Sequence, residues 1–407
     1  MQGTGRSVRS FATVRARRAQ TGPIFASLLR ALAGRGARGR RSDTAATDVE
    51  AILGRKLGAG LHPPDAPFRG QSILVTGAGG CIGREICRQV MRLAPARLVL
   101  FDLSEAALYE ALRGLCALPQ SGEVEIVPVI GSVTDGDAVL HTLRAQEVGI
   151  VLHAAAYKHV PLVEANPRAG LQTNTLGTLT VARKSREAGV ARFVLISTDK
   201  AVRPESVLGV SKFLAECAVL DLASRPGTTV FSAVRFGNVY GSSGSVVPLF
   251  LDQIAQGGPV TVTDPDATRY FMSVEQAVSL VLWAAAIARG GEVFVLDMGV
   301  PVSIGDLARR LIAAAAPKGV DIGIRVTGLR PGEKKHEALC QPGSALPTEV
   351  PGIWQARDPL PSQIEIAAAL RDLARAVCGD DALLQSVLTR WRTSPDPVVL
   401  SASGAAG

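Results

Sequence analysis

Six short apolar runs, centred near residues 73, 98, 126, 150, 194 and 232, alternate with stretches of helical period, and no other feature limits the fold as much. Continuous runs of this length suit strands buried on both faces, and the helical stretches between them supply the crossovers that parallel strands need. The pattern predicts an α/β fold built on a doubly wound parallel sheet. With 407 residues, 47% of them hydrophobic, the chain can cover such a sheet on both sides. After Arg235 the rhythm changes. Helices expected over 246–256, 273–288 and 303–316 alternate with short strands over 259–263, 292–297 and 321–326, and this half lacks a glycine turn of its own. It reads as a smaller C-terminal substrate lobe. The expected division is a basic flexible tail over 1–47, a nucleotide-binding domain over 48–235, the lobe over 236–345 with interleaved elements, and a helical extension over 346–407.

The first apolar run leads through Gly77-Ala-Gly-Gly-Cys-Ile-Gly83 into a helix. Glycines at 77, 80 and 83, with Cys81 and Ile82 between them, let the backbone turn tightly and approach a pyrophosphate, whose charge the helix amino terminus stabilises. The second run ends in Asp102, about twenty residues on. An acid there accepts hydrogen bonds from the adenosine ribose hydroxyls and repels a 2′-phosphate, which predicts NAD rather than NADP. Asp102 is also placed to cap the next helix, with Ser104 as the rival cap. Ser132 and Val133 follow the third run and are expected to line the adenine. Ala154, Ala155 and Ala156 follow the fourth; small residues there let a cofactor lie against the backbone and turn Lys158 and His159 towards the substrate mouth. Asn174, on the helix opened by Asn166-Pro167, is placed to bond the 154–156 backbone or the cofactor.

The chemistry is expected between Ser197 and Lys212. Thr198, Asp199 and Lys200 emerge at the carboxyl end of the fifth strand, where open α/β sheets bind ligands. Leu208, Lys212 and Glu216 recur at a spacing of four and share a helix face. Beyond them, the glycine and serine loop from Phe236 to Ser245, with Asn238 and Ser245, suits a phosphorylated ligand. Arg269, Arg330 and Glu333 are the candidate contacts of the second half, arginine being suited to bidentate phosphate recognition.

The formal charge of +8 is not spread along the chain. Arg6, Arg9, Arg15, Arg17, Arg18, Arg30, Arg35, Arg38, Arg40 and Arg41 precede the first acid, Asp43, so the remainder is slightly acidic and a nucleic-acid-binding core is not expected. Ile24 to Leu32 can form a short basic amphipathic helix that touches anionic lipid, and the acid-free start also fits a transit peptide. The six cysteines are scattered without metal spacing, which fits free thiols in a reducing, cytoplasmic setting and no metal.

Taken together and in order, Val75-Thr-Gly-Ala-Gly-Gly80, Ala154-Ala-Ala-Tyr-Lys-His-Val-Pro-Leu-Val-Glu164, Ser197-Thr-Asp-Lys-Ala-Val202, Arg235-Phe-Gly-Asn-Val239, Thr268-Arg-Tyr-Phe-Met272 and Gly328-Leu-Arg-Pro-Gly-Glu-Lys334 resemble the extended short-chain dehydrogenase/reductase superfamily. Within it, the chain is similar over roughly 48–345 to the polysaccharide-biosynthesis nucleotide-sugar 4,6-dehydratases. The resemblance implies a Rossmann-type fold, bound NAD, a UDP-sugar substrate (usually UDP-N-acetylglucosamine) and a homo-oligomer. It also implies roles. Thr198 would assist at O4, Asp199 would protonate the departing C6 hydroxyl, Lys200 would remove the C5 proton, and Lys212 would bind the nicotinamide ribose. Asn238, Arg269 and Arg330 would hold the UDP.

An ordinary lysine is a poor base at neutral pH, so Lys200 is expected to lose its charge through burial or a cationic neighbour such as Lys212. Two positions depart from the resemblance. Leu208 stands where the superfamily usually has tyrosine, which leaves the acceptor of the O4 proton open. Cys81 stands where serine is common, and a thiol donates more weakly. A UDP-sugar epimerase and a nonenzymatic NAD-bound scaffold are the rival readings.

Overall fold

Short runs of β-branched and aliphatic residues flanked by glycine, proline or polar residues become strands here, and their continuity buries them from both sides. The computed structural model describes residues 62–242 and 244–393; the expectations for the tail, for 48–56 and for the end from Ser394 lie outside these. One nine-stranded sheet holds β1 (Ser72–Thr76), β2 (Arg97–Asp102), β3 (Glu125–Ile130), β4 (Ile150–His153), β5 (Arg192–Ile196), β6 (Val230–Arg235), β7 (Glu292–Leu296), β8 (Ala345–Pro347) and β9 (Ile353–Ala356). Their order is 3-2-1-4-5-6-7-9-8. Strands β1 to β7 are parallel, and β9 and β8 close one edge antiparallel. The order reverses between β1 and β4, the switch point outside whose carboxyl ends such sheets bind ligands.

The helices flanking the sheet are α1 (Cys81–Val90), α2 (Glu105–Cys116), α3 (Gly136–Ala145), α4 (Thr178–Glu187), α5 (Val207–Ala223), α6 (Val274–Ile287) and α7 (Gln363–Ala376), with α8 (Asp381–Trp391) beyond. Helix α1 packs against α2 and α6 on one face; α3, α4, α5 and α7 follow one another across the other. Helix α5 is apolar nearly all round and buried nearly all round, as such a helix must be. Among the described residues, no helix is long and apolar enough to cross a membrane.

The expected linear division is more interleaved than the sequence shows. The strand expected over 292–297 is β7 and joins the main sheet beside β6, while α6 packs on α1. What remains of the lobe is a small apolar core of helices Val246–Ala255 and Ile304–Ala315 over the parallel pair Val260–Val262 and Ile324–Val326.

Two glycines fix the β1–α1 turn. Gly77 has φ +65°, and a Cβ there would lie 2.8 Å from the Ala155 backbone. A Cβ on Gly83 would lie 2.0 Å from the Gly77 carbonyl oxygen. Gly83→Ala is therefore expected to destabilise by about 1–3 kcal/mol through backbone displacement. Gly114→Ala, on the exposed side of α2 with nothing within 4 Å, is expected to stabilise by about 0.5–1 kcal/mol. Urea denaturation of the two variants checks both signs.

Candidate active site

At the switch point the β1–α1 turn faces the Ala154–Ala156 segment across the gap that the glycines keep open. Gly80 begins α1, and no side chain caps that helix. Asp102 accepts from Gly79 N at 2.8 Å and from Ser104 N at 2.9 Å; Ser104, not Asp102, caps α2 through Ala107 N. The acid at the end of β2 thus steadies the glycine turn from the edge where a ribose would arrive. Burial pushes the Cys81 thiol up, so it remains a neutral, weak donor.

The carboxyl ends of β1, β4, β5 and β6 open into a cleft of about 650 Å³. It brings together Gly77, Gly80, Cys81, Ile82, Gly83, Ala154 and Ala156 on the nucleotide side with Lys158, His159, Thr198, Lys200 and Lys212. Asn238, Ser245, Arg269, Arg330 and Glu333 line it from the other lobe. Asp102, Ser132, Val133, Ala155, Asn174 and Asp199 do not line it. Val133 belongs to the core, and Ser132 bonds Thr134 at 2.8 Å.

The β5 end carries Thr198, Asp199 and Lys200. Thr198 donates its hydroxyl hydrogen to Asp199 Oδ1 at 2.8 Å, and Lys200 Nζ donates to the same oxygen at 3.0 Å. Asp199 is fully buried behind them and its Oδ2 has no partner. Gly237 makes this possible, because a Cβ there would stand 2.9 Å from Oδ2. Lys200 also lies 3.6 Å from Glu337 Oε1. Burial alone would lower its pKa, but Asp199 and Glu337 outweigh burial and hold it above the ordinary lysine value. The expectation that Lys200 is poised without charge is therefore corrected: it rests as an ammonium between two carboxylates.

The uncharged lysine is nearer to being Lys212. Burial lowers its pKa to about 8 against the pull of Glu216, one helical turn on, and its Nζ donates to Ile196 O at 2.7 Å. Leu208, on the same face, is buried and lines the cleft. Beneath them Glu216, 1% exposed, accepts from Arg235 Nη2 at 2.6 Å and from Ser197 Oγ. Arg235, 2% exposed, reaches on to Asp358, which also holds Ser344 Oγ and Gln341 N.

Asn174 is placed by a π-helical turn, Gln172–Gly177, of the kind often found at functional sites. Its amide does not meet the cofactor side. It accepts from Tyr157 N at 2.8 Å and donates to Tyr157 O and Ser211 Oγ, so it fixes the loop that carries Lys158 and His159. His153 is held below it. Thr178 donates to Asn174 O, so towards His153 Nε2 it accepts, and Nδ1 accepts from Thr76 Oγ1. Burial lowers the His153 pKa to about 3, which keeps this relay neutral.

On the sugar side, Asn238 Oδ1 and Ser245 Oγ are buried without partners and line the cleft, whereas Arg330 is exposed at the mouth. Arg269 is less available than expected. It donates to the carbonyls of Thr268, Lys334 and Lys335 and approaches Glu333 at 3.4 Å, so it braces the 328–335 loop. Glu333 also takes Thr263 Oγ1. Sequence reasoning missed Glu337, three residues past the last motif quoted, and the Arg235–Asp358 contact; neither carries a spacing signal.

Two measurements test this charge arrangement. The Lys212 ammonium, followed by 13C NMR, is expected to titrate near pH 8. Its folded value lies below its ordinary 10.5, so it opposes folding below about pH 8 and is relieved as pH rises towards 10.5; Lys212→Met should flatten the stability profile in that window. Arg235→Met, which strands Glu216 without its cation, is expected to cost about 3–5 kcal/mol by chemical denaturation.

A family model described as polysaccharide biosynthesis protein matches residues 73–357. The capsular polysaccharide biosynthesis protein CapD of Staphylococcus aureus is 47% identical over 306 residues, 74% of this chain and 51% of CapD. The chain thus spans about half the length of such curated relatives. The UDP-N-acetylglucosamine 4,6-dehydratase (inverting) of Campylobacter jejuni is 33% identical over 276 residues, and the UDP-glucose 4-epimerase of Rickettsia akari 34% over 282; each match covers 67% of this chain and 78% of the relative. Among solved structures, Pen from Bacillus thuringiensis is 31% identical and superposes with a TM-score of 0.65 over 73% of this chain and 92% of Pen. On these matches and the fold that carries them, the chain belongs to the polysaccharide biosynthesis protein family, a group of nucleotide-sugar dehydratases and epimerases on the extended short-chain dehydrogenase/reductase fold.

Proposed function

We propose that the chain dehydrates a UDP-N-acetylhexosamine, with UDP-N-acetylglucosamine as the first choice, to its 4-keto-6-deoxy sugar for surface-polysaccharide synthesis. The observation that carries this reading is that Thr198 and Lys200, both bonded to the enclosed Asp199 at the β5 end, share one cleft with Lys212 and the bare glycine turn. The turn fits a dinucleotide: side chains at 77 or 83 would strike backbone, and α1 begins without a side-chain cap. Asp102 suits the adenosine ribose hydroxyls of NAD. Bound there, NAD supplies hydride chemistry, taking a hydride at C4 and returning it at C6.

The chain's own groups move the protons. Thr198 spends its hydrogen on Asp199, so its oxygen is left to accept from the C4 hydroxyl, and the O4 proton passes through Thr198 to Asp199. This route needs no phenol, which Leu208 does not offer. A C4 ketone makes the C5 hydrogen acidic, and Lys200 accepts it once it has given up its own proton. Lys212 holds the nicotinamide ribose, and Asn238, Ser245 and Arg330 face the UDP. A cytoplasmic homo-oligomer whose basic tail touches anionic lipid completes the proposal.

A UDP-sugar 4-epimerase is the second reading, favoured by the Rickettsia relatives, 34% identical against 33% for the dehydratase. Incubation with UDP-N-acetylglucosamine in deuterated water separates the two. Dehydration is expected to remove one water and leave one deuterium at C5, whereas epimerisation at C4 changes neither mass nor C5. Lys200→Met is expected to lower dehydration by about 100-fold or more. Mass spectrometry and NMR of the sugar read each result; turnover without loss of water would end the dehydratase reading.

A further inference from the structure

We infer that Glu164 is a positioning residue: its carboxylate holds the start of helix α5 and the 328–334 loop in register, and so sets where Lys200, Lys212 and Arg330 face the cleft. The inference rests on the reading above, in which that cleft takes a UDP-sugar. Glu164 ends the motif that begins at Ala154, and it does not itself line the cleft. It belongs to the short helix Val160–Ala165, which follows directly on Lys158 and His159. Its side chain is 18% exposed, and both carboxylate oxygens are engaged. Oε1 accepts from Val207 N at 2.5 Å, and Oε2 accepts from Arg392 Nη2 at 2.8 Å.

Val207 is the first residue of α5, a position whose N–H finds no partner within the helix. Ser206 Oγ takes Gly209 N at 2.9 Å, so the cap and Glu164 divide the first turn between them. That turn rests on Lys200: a Cβ on Gly209 would lie 2.5 Å from Lys200 O. A shift at the start of α5 therefore moves Lys200 directly, and carries Lys212 with the helix. The same oxygen of Glu164 faces the other lobe. A Cβ on Gly332 would lie 2.9 Å from Oε1 and 2.9 Å from Ser206 Cβ, and Gly332 and Ser206 both line the cleft. Lys334, 9% exposed, fastens the same loop by donating to Val202 O at 2.6 Å. One carboxylate oxygen thus stands between the helix that carries Lys212 and the loop that carries Arg330. Arg392 is 37% exposed, and so exposed a pair contributes little. The acceptor oxygen, not the ion pair, is the part that positions.

The test compares Glu164→Ala, Glu164→Gln and Arg392→Met on the full chain, by turnover of UDP-N-acetylglucosamine and by calorimetric binding of UDP and of NAD. Glu164→Ala removes the acceptor. It is expected to lower kcat by about 10–100-fold, as a small misplacement of reacting groups does. UDP binding is expected to weaken by about tenfold, because the loop must then be ordered on binding. NAD is expected still to bind, since the β1–α1 turn is untouched; a part that only supports the fold would lose UDP and NAD together. Glu164→Gln keeps an oxygen for Val207 N, and Arg392→Met removes only an exposed pair, so both are expected to stay within about threefold of wild type. The inference is overturned if Glu164→Ala keeps the wild-type kcat and UDP affinity, if Arg392→Met reproduces its losses, if Glu164→Gln fails to restore them, or if NAD binding is lost with UDP binding. A wild-type protein that binds UDP but removes no water from the sugar would end the dehydratase reading alone, and the UDP and NAD measurements would still decide the role of Glu164. A wild-type protein that binds no UDP would overturn both.

Discussion

The carboxyl edge of the sheet is organised by a salt bridge that water does not reach. Glu216 and Arg235 are 1% and 2% exposed, and the pair ties helix α5 to strand β6 while Ser197 and Asp358 occupy its remaining hydrogen-bonding capacity. Such a pair is weak evidence for stability, since desolvation offsets most of its attraction, but it fixes geometry because either partner alone would be a stranded charge. Three distant segments are thereby held in one register: the β5 end before Thr198, the helix that carries Lys212, and the stretch after β9. Glu216 is committed to Arg235, and so burial prevails over its pull on Lys212.

The cleft therefore holds two lysines in opposite states. Lys212 sits against a backbone carbonyl with its nearest carboxylate already paired, and it loses its proton readily. Lys200 stands between Asp199 and Glu337 and keeps its proton. The residue type is the same, so the division of labour lies in the neighbours.

The C-terminal segment bears on the site as well as on the exterior. Helices α7 and α8 share an apolar cluster with Val207, Leu208, Val210 and Leu214, and Phe213 meets Trp391 at 5.9 Å between ring centroids. Thr393 N donates to Pro204 O, and Arg392 pairs with Glu164 at 2.8 Å, whose other oxygen accepts from Val207 N at the start of α5. The loop from Lys200 to Val207 is thus bounded by residues that follow the matched segment 73–357. Leu208 belongs to this apolar wall as much as to the cleft.

What the sequence determined by itself was whatever depends on local pattern. Apolar runs fixed six of the parallel strands, the bare turn from Gly77 to Gly83 fixed where a helix amino terminus opens on the cleft, and Thr198 to Lys212 fixed which strand end faces it. These are properties of a few consecutive residues, and backbone sterics and hydrophobic burial act on them directly. What the tertiary structure alone decided was which charges face one another. Glu292–Leu296 joined the main sheet because β6 was there to pair with it. Lys200 kept its proton because Asp199 stands beside it at 3.0 Å and Glu337, far along the chain, folded to within 3.6 Å. Arg269 turned to the carbonyls of a neighbouring loop, and Asp199 was enclosed behind Thr198. Electrostatic interaction depends on distance and burial, and neither can be read from separation along the chain.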